Sequence, residues 1–346
     1  MILSVYATDE ADVRDAVVDQ ALQQHERALF TSLHMPETRE LAGWVAWMAR
    51  VHREAGLRFW ADVSPASFEA LGWRPGDLAP LREAGVVGLR LDYGFGVEEI
   101  SRIAGAGGGA GALPVAVNAS IASGDELDAL AAAGLEVVGW HNFYPRPGTG
   151  LTEDFLVSQS ALFTARGLRV LAFVPGERAR RAPLHLGLPT LERHRFRNAY
   201  VAVRELAALV PGVEAVCAEG PLDPRHAELL RRAEDGVLTL PLVDLAPGCE
   251  WLLDRDWDLR VEQTGVSQRL VGTRGHEAPT RTVAADALEA GSLQMDTLGR
   301  YSGEVHLMVA ERPLDADHLR LADVAAPYRG LVRLLRGGET VRFERA

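Results

Sequence analysis

Lysine is absent from this 346-residue chain, so all 36 basic residues are arginine. In a sequence this rich in Ala, Gly and Arg, arginine reflects coding composition, and its abundance alone marks no site. Cysteine is nearly absent: Cys217 and Cys249 stand in no CxxC spacing, which excludes a disulfide framework and a thiolate metal site. Both read as small buried hydrophobes in a reducing compartment. No stretch of about 18 uncharged apolar residues occurs, so no membrane span is expected. Met1 leads directly into Ile2-Leu3-Ser4-Val5-Tyr6-Ala7 with no signal-peptide pattern, and a cytoplasmic location is expected. The net charge of −12 argues against a general nucleic-acid binder. It leaves room for an anionic ligand held by local basic groups.

What is present is a regular alternation. Hydrophobic residues make up 47 %, enough for a large core. Strand-like runs fall at Ile2–Ala7, Ala28–Leu33, Leu57–Val63, Gly88–Asp92, Pro114–Asn118, Val137–Asn142, Arg169–Val174 and Val213–Ala218. Between them lie helical patterns such as Asp9–Gln24, Thr38–Ala55 and Thr152–Arg166, with apolar residues three and four apart. Gly56, Gly85, Gly134, Gly167 and Gly212 precede strands at helix C-cap positions. Eight β-then-α units predict an α/β fold, a closed (β/α)8 TIM barrel, over residues 1–235. An open doubly wound sheet would need no such eightfold count. The glycine run Gly105–Gly111 follows a helix and precedes a strand, with incomplete GxGxxG spacing, and reads as a loop rather than a phosphate cradle. From Gly236 onward the character changes to short strands, at Val237–Val243, Leu259–Glu262, Arg269–Thr273, Gly303–Val309 and Leu331–Leu335. Residues 236–346 therefore read as a small, mostly β second domain with the strand content of a small barrel.

In a barrel, polar residues at the carboxyl ends of strands converge on one mouth. Strand ends here offer Thr31 and Ser32, Asp62 and Ser64, Asp92, Asn118 and Ser120, His141 and Asn142, and Glu219. The run Trp140-His141-Asn142-Phe143-Tyr144-Pro145-Arg146-Pro147 ends a strand in a polar and aromatic cluster. The loop Gly187-Leu188-Pro189-Thr190-Leu191-Glu192-Arg193-His194-Arg195 is long enough to cover the mouth. Glu192 and His194 could equally form surface ion pairs. Two carboxylates flanking a mouth, Asp92 and Glu192, are what glycoside cleavage requires: one protonates the leaving oxygen, the other stabilises or attacks the oxocarbenium-like centre.

The HNFYPRPGTGL run (141–151), the AxVSPASFExLG stretch (61–72), the GLRLDYGF run (88–95), the GLPTLERHR loop (187–195), FTSL (30–33) and YSGEV (301–305) together resemble the MupG-type 6-phospho-N-acetylmuramidases. The resemblance covers essentially the whole chain. It implies a TIM barrel followed by a cyclophilin-like domain, and an intracellular glycosidase of cell-wall sugar recycling. The substrate it implies is a disaccharide whose non-reducing sugar is N-acetylmuramic acid 6-phosphate. Such a ligand carries a phosphate and a lactyl carboxylate, for which Arg269, Arg274 and Arg195 are the expected cationic donors. Asp92 and Glu192 are the expected catalytic pair. Asp62, Asn118, His141, Asn142, Tyr144 and His194 are the expected substrate-binding residues, with the substrate's own acetamido group as a second route to the nucleophile. No cofactor, metal, nucleic acid or membrane partner is expected, and a homodimer is left open. The chain departs from the family pattern in two places: Tyr6-Ala7-Thr8 stands where YPE is usual, and Asp92-Tyr93-Gly94-Phe95 where DEGF is usual. Two further readings follow. One is a non-catalytic sugar-phosphate binder. The other is a metal-dependent isomerase or lyase with Asp62, Asp92, His141 and Glu192 as ligands.

Overall fold

The computed structural model describes residues 1–24, 27–34, 41–74, 76–91, 95–104, 111–279, 287–313 and 315–346. The chain divides into two compact units, Met1–Asp223 and Pro224–Ala346.

In the first unit eight parallel strands close into a barrel in sequence order. They are β1 (Ile2–Ser4), β2 (Ala28–Ser32), β3 (Arg58–Val63), β4 (Val86–Leu91), β5 (Val115–Asn118), β6 (Val137–Trp140), β7 (Val170–Val174) and β8 (Glu214–Cys217). The expected TIM barrel is thus present. Helices α1 (Ala11–Leu22), α2 (Leu41–Ala55), α3 (Pro65–Leu71), α4 (Ala79–Glu83), α5 (Val97–Ile103), α6 (Gly124–Ala132), α7 (Glu153–Thr164) and α8 (Ala199–Leu209) lie between them. Their ends follow local chemistry. Ser123, Thr152 and Asn198 accept hydrogen bonds from the backbone N–H three residues on, and Ser64 does so within a reciprocal capping box with Ser67. The five glycines before strands all take positive φ, from 69° to 82°, where a side chain would be strained. Of the glycine run 105–111, only Gly111 is among the described residues.

The barrel interior is plugged by aromatic rings. Trp140 meets Phe30 at 5.1 Å, Trp60 at 5.5 Å and Phe173 at 5.7 Å between ring centroids. Gly88 makes this possible: a Cβ there would sit 2.3 Å from the Trp60 ring. Truncating any one such ring to Ala would cost about 3–5 kcal/mol. The plug is a floor, so chemistry is confined to the layer above it, where strand register sets Ser32, Asp62 and Arg90 side by side on β2, β3 and β4.

The second unit begins with helix α9 (Pro224–Glu234), which packs on β9 (Val237–Val243). The later strands are β10 (Asp256–Asp258), β11 (Ser267–Arg269), β12 (Ala287–Leu288), β13 (Ser292–Asp296), β14 (Val305–Met308), β15 (Arg312–Pro313), β16 (His318–Val324) and β17 (Thr340–Arg345). Six of them join β9 in one seven-stranded sheet, in the order β10-β17-β9-β16-β13-β14-β11. A bridge between Leu259 and Leu270 joins its two edges, so the sheet curls back on itself. Leu331–Leu335 departs from the strand expectation: Ala326–Leu334 forms 3-10 turns whose Leu331 and Val332 are buried. A short apolar run carries no period by which to tell the two apart.

Candidate active site

A cavity of about 340 Å³ opens beside the carboxyl ends of β1, β2 and β3, bounded by the loops after β6 and β7. Its polar lining is Ser32, His34, Asp62, Arg181 and His185, on an apolar wall of Tyr6, Phe30, Phe143 and Leu188. The volume lies at the small end of ordinary ligand sites, the size of one sugar ring with substituents.

Asp62 is the carboxylate of this cavity. Its Oδ1 accepts from Arg90 Nη1 at 3.0 Å and its Oδ2 from Ser32 Oγ at 3.2 Å. Arg90 is 3 % exposed, and a guanidinium buried that deeply has to be paired. Its Nη2 donates to Asn142 Oδ1, so one cation fixes the carboxylate of β3 and the amide after β6 together. Asn118 Oδ1 accepts from Ser120 N at 3.0 Å, and Ser120 Oγ accepts from Asn142 N at 3.2 Å. Asp62, Asn118 and Asn142 are therefore drawn into one polar network. His34 joins the same rim through a 2.6 Å contact of its Nδ1 with Ser64 Oγ.

Arg181 is the cation of the cavity. Its guanidinium lies 4.6 Å from the centroid of the Tyr6 ring. Among the described residues it makes no ion pair or side-chain hydrogen bond. Tyr6 is itself no proton donor to substrate, since it is fully buried and its hydroxyl donates to Ala218 O at 2.7 Å. Burial holds that phenol well above its ordinary pKa, with Arg181 opposing. Glu219, at 1 % exposure, anchors the Arg181 loop by accepting from Arg181 N at 2.6 Å. Burial raises its carboxyl above the ordinary range, and the Arg181 N–H bond opposes the shift. One residue after Thr8, Asp9 Oδ2 accepts from Tyr6 N at 2.8 Å, and burial raises this carboxyl too.

Several expected site residues have other duties. Arg195 is 1 % exposed and spends all five N–H donors inside the protein. Two go to the Glu192 carboxylate at 2.7 and 2.6 Å, and the rest to the carbonyls of Pro145, Gly187 and Arg146. It has no donor left for a phosphate. Glu192 also accepts from Gly150 N at 2.8 Å, and the Arg195 fork lowers its pKa to about 2. A carboxylate held so firmly ionised is unsuited to donate a proton. The pair knits the loops after β6 and β7 together. His194 is 0 % exposed and faces Glu205 Oε2 on α8 at 3.0 Å. His141 is likewise fully buried, with Nδ1 on Ser120 Oγ at 3.2 Å and Nε2 on Ser160 Oγ of α7 at 3.0 Å. Burial drives its pKa to about 3, so it is a neutral spacer between strand and helix rather than a sugar ligand. Tyr144 is half-buried and tied by its N–H to Pro189 O at 3.0 Å, away from the cavity lining.

Arg269 and Arg274 both lie in the second unit. Arg274 forks onto Glu304 at 3.2 Å through Nε and Nη2 and lines a cavity of about 650 Å³ there. Arg269 faces Glu262 at 3.7 Å. Asp92 and Tyr93 lie outside the described residues. In the barrel no three described His, Cys, Asp or Glu side chains gather around one point, and of the expected metal set Asp62, Asp92, His141 and Glu192, Asp92 lies outside the described residues.

Arg181, Arg90 and Glu219's anchoring role were not read from the sequence. The signals were there: an Arg inside a barrel strand, and the run Arg178-Ala179-Arg180-Arg181 after β7.

Comparison with known proteins agrees with this architecture. The whole chain superposes on a conserved Enterococcus faecalis protein of unknown function, with a TM-score of 0.85 at 24 % identity, covering 96 % of that chain. An uncharacterised B. cereus protein matches 99 % of this chain and 98 % of its own, with a TM-score of 0.75 at 23 % identity. These likenesses show the fold. No curated protein matches the chain at significant similarity. Residues 3–216, the barrel from β1 into β8, match the family described as 6-phospho-N-acetylmuramidase, N-terminal, and the chain belongs to that MupG family.

Proposed function

We propose that this protein hydrolyses the glycosidic bond of a disaccharide whose non-reducing sugar is N-acetylmuramic acid 6-phosphate. One observation carries the reading beyond family membership: the same cavity is lined by a carboxylate, Asp62, and by a cation, Arg181, whose guanidinium makes no ion pair or hydrogen bond among the described residues. An anionic amino-sugar glycoside needs both, one for the charge that develops at the anomeric carbon and one for the ligand's own charge.

Asp92, the residue after Leu91 at the end of β4, supplies the proton to the leaving oxygen. The substrate's acetamido oxygen attacks the anomeric carbon as the glycosidic bond breaks. Asp62, fixed by Arg90, orients and stabilises that acetamido group, and water then opens the intermediate. Asn142 and Asn118 stiffen the network behind Asp62. The Phe143 ring, partly exposed in the cavity wall, faces the apolar side of the sugar. Family membership, the Asp62–Arg90–Asn142 network and the Arg181 placement support this assignment.

Glu219 serves as the control: it is 1 % exposed, lies outside the cavity lining and holds Arg181 N, so it has no path to the leaving oxygen. Turnover of the phosphorylated disaccharide by Asp62→Asn, Asp92→Asn and Glu219→Gln tests the set. Losses of about 100-fold or more in the first two, with Glu219→Gln close to wild type, fit the leading assignment. A retained rate in Asp92→Asn would remove Asp92 from the acid's role.

A further inference from the structure

Outside the barrel, the second unit gathers four side chains of metal-binding type. Asp296 ends β13, Glu304 precedes β14, His306 lies within it, and His318 begins β16 directly across from Asp296 in the strand register. His306 Nε2 stands 3.4 Å from Asp296 Oδ2 and 3.8 Å from Glu304 Oε2. His318 Nε2 stands 3.1 Å from Asp296 Oδ1. Asp296, Glu304 and His306 each offer one ligand atom within 4.8 Å of the other two, close to the roughly 3.3 Å that separates ligand atoms around a tetrahedral zinc ion, and His318 meets this group through Asp296.

The surroundings of the four groups match as well. A metal-bound imidazole ordinarily has its other nitrogen held by a hydrogen bond that fixes tautomer and ring direction. Both histidines have this arrangement: His306 Nδ1 meets Ser267 Oγ at 3.2 Å, and His318 Nδ1 meets the Asp315 carboxylate. Each therefore aims Nε2 into the cluster. His306 Nε2 is buried and makes no hydrogen bond among the described residues, a cost that an ion would remove. Glu304 is 3 % exposed and is oriented from outside by Arg274.

We propose that Asp296, Glu304 and His306 form a binding site for a zinc-type divalent cation, with His318 holding Asp296 from the neighbouring strand. One imidazole and two carboxylates suit such an ion and leave its charge balanced. The ligands come from the end of β13 and the start of β14, so the ion staples two neighbouring strands of the sheet.

The test is titration of the chelator-stripped full-length protein with Co2+ and then Zn2+. One equivalent of Co2+ should give the visible absorption of a tetrahedral nitrogen and oxygen site, and one equivalent of Zn2+ should abolish it. His306→Ala should weaken binding about 100-fold or more, and His318→Ala, which reaches the ion through Asp296, about tenfold. The near-isosteric Asp296→Asn keeps the test intact should His306→Ala not fold, as judged by circular dichroism. Absence of stoichiometric Co2+ absorption in the wild type, or affinity unchanged in folded Asp296→Asn and His318→Ala, would reduce the cluster to ordinary ion pairs and overturn the proposal.

Discussion

Arg195 holds Glu192 by both carboxylate oxygens, Nε to Oε1 at 2.7 Å and Nη2 to Oε2 at 2.6 Å, while its remaining donors close on three backbone carbonyls. The TLERHR segment is thereby a clasp between two mouth loops, and the carboxylate that looked most like half of a catalytic pair is its hook.

This clasp has a pH signature. The Glu192 carboxyl is lowered in the folded state, from 4.5 to about 2, by the Arg195 fork. Its stabilisation is therefore complete above pH 4.5 and is lost as pH falls through 2, where the folded protein must also take up the proton. Because Glu192 keeps about a third of its side chain exposed, screening leaves roughly 1–2 kcal/mol of the contribution. Glu192→Gln should lower stability by that much at pH 7, measured by urea unfolding, with the gap to wild type closing between pH 4.5 and 2. A gap independent of pH would show that the ion pair is not its origin.

His141 works in the opposite sense. Burial depresses its pKa from 6.5 to about 3, so below 6.5 the unfolded chain binds a proton that the folded chain refuses. Stability should therefore fall as pH drops from 6.5 to 3, by on the order of 4 kcal/mol from this residue. Replacing it with Gln should flatten that slope while leaving substrate affinity within about threefold. A KM shift of ten-fold or more would return His141 to the sugar site.

Arg181 should act on binding. A charge-assisted hydrogen bond is worth about 1.5–3 kcal/mol, so Arg181→Met should raise KM for the phosphorylated disaccharide about 10–100-fold with kcat nearly unchanged. Unaltered KM, or an equal loss on a neutral substrate, would remove it from the anion site.

The barrel was legible because its signals are local and repeat eight times: apolar strand runs, amphipathic helices and glycine C-caps. The site was only partly legible. Asp62, Asn118 and Asn142 sit at strand ends, where position alone brings them together. His194 and Glu205 are eleven residues apart on different elements, and His141 meets Ser160 on a helix, so nothing in local spacing announces that these histidines face inward. Arg195 carries the same motif in sequence whether its donors face a ligand or three carbonyls. Arg181 was hidden by abundance, since in a chain whose only basic side chain besides histidine is arginine, one more draws no notice.

The central claim is cleavage of a phosphorylated muramic-type glycoside, and an end-point assay tests it most directly. Purified protein is incubated with N-acetylmuramic acid linked β-1,4 to N-acetylglucosamine, with and without the 6-phosphate, and free N-acetylglucosamine is measured. Release from the phosphorylated disaccharide alone is the predicted result. Release from neither, or equal release from both, would contradict it.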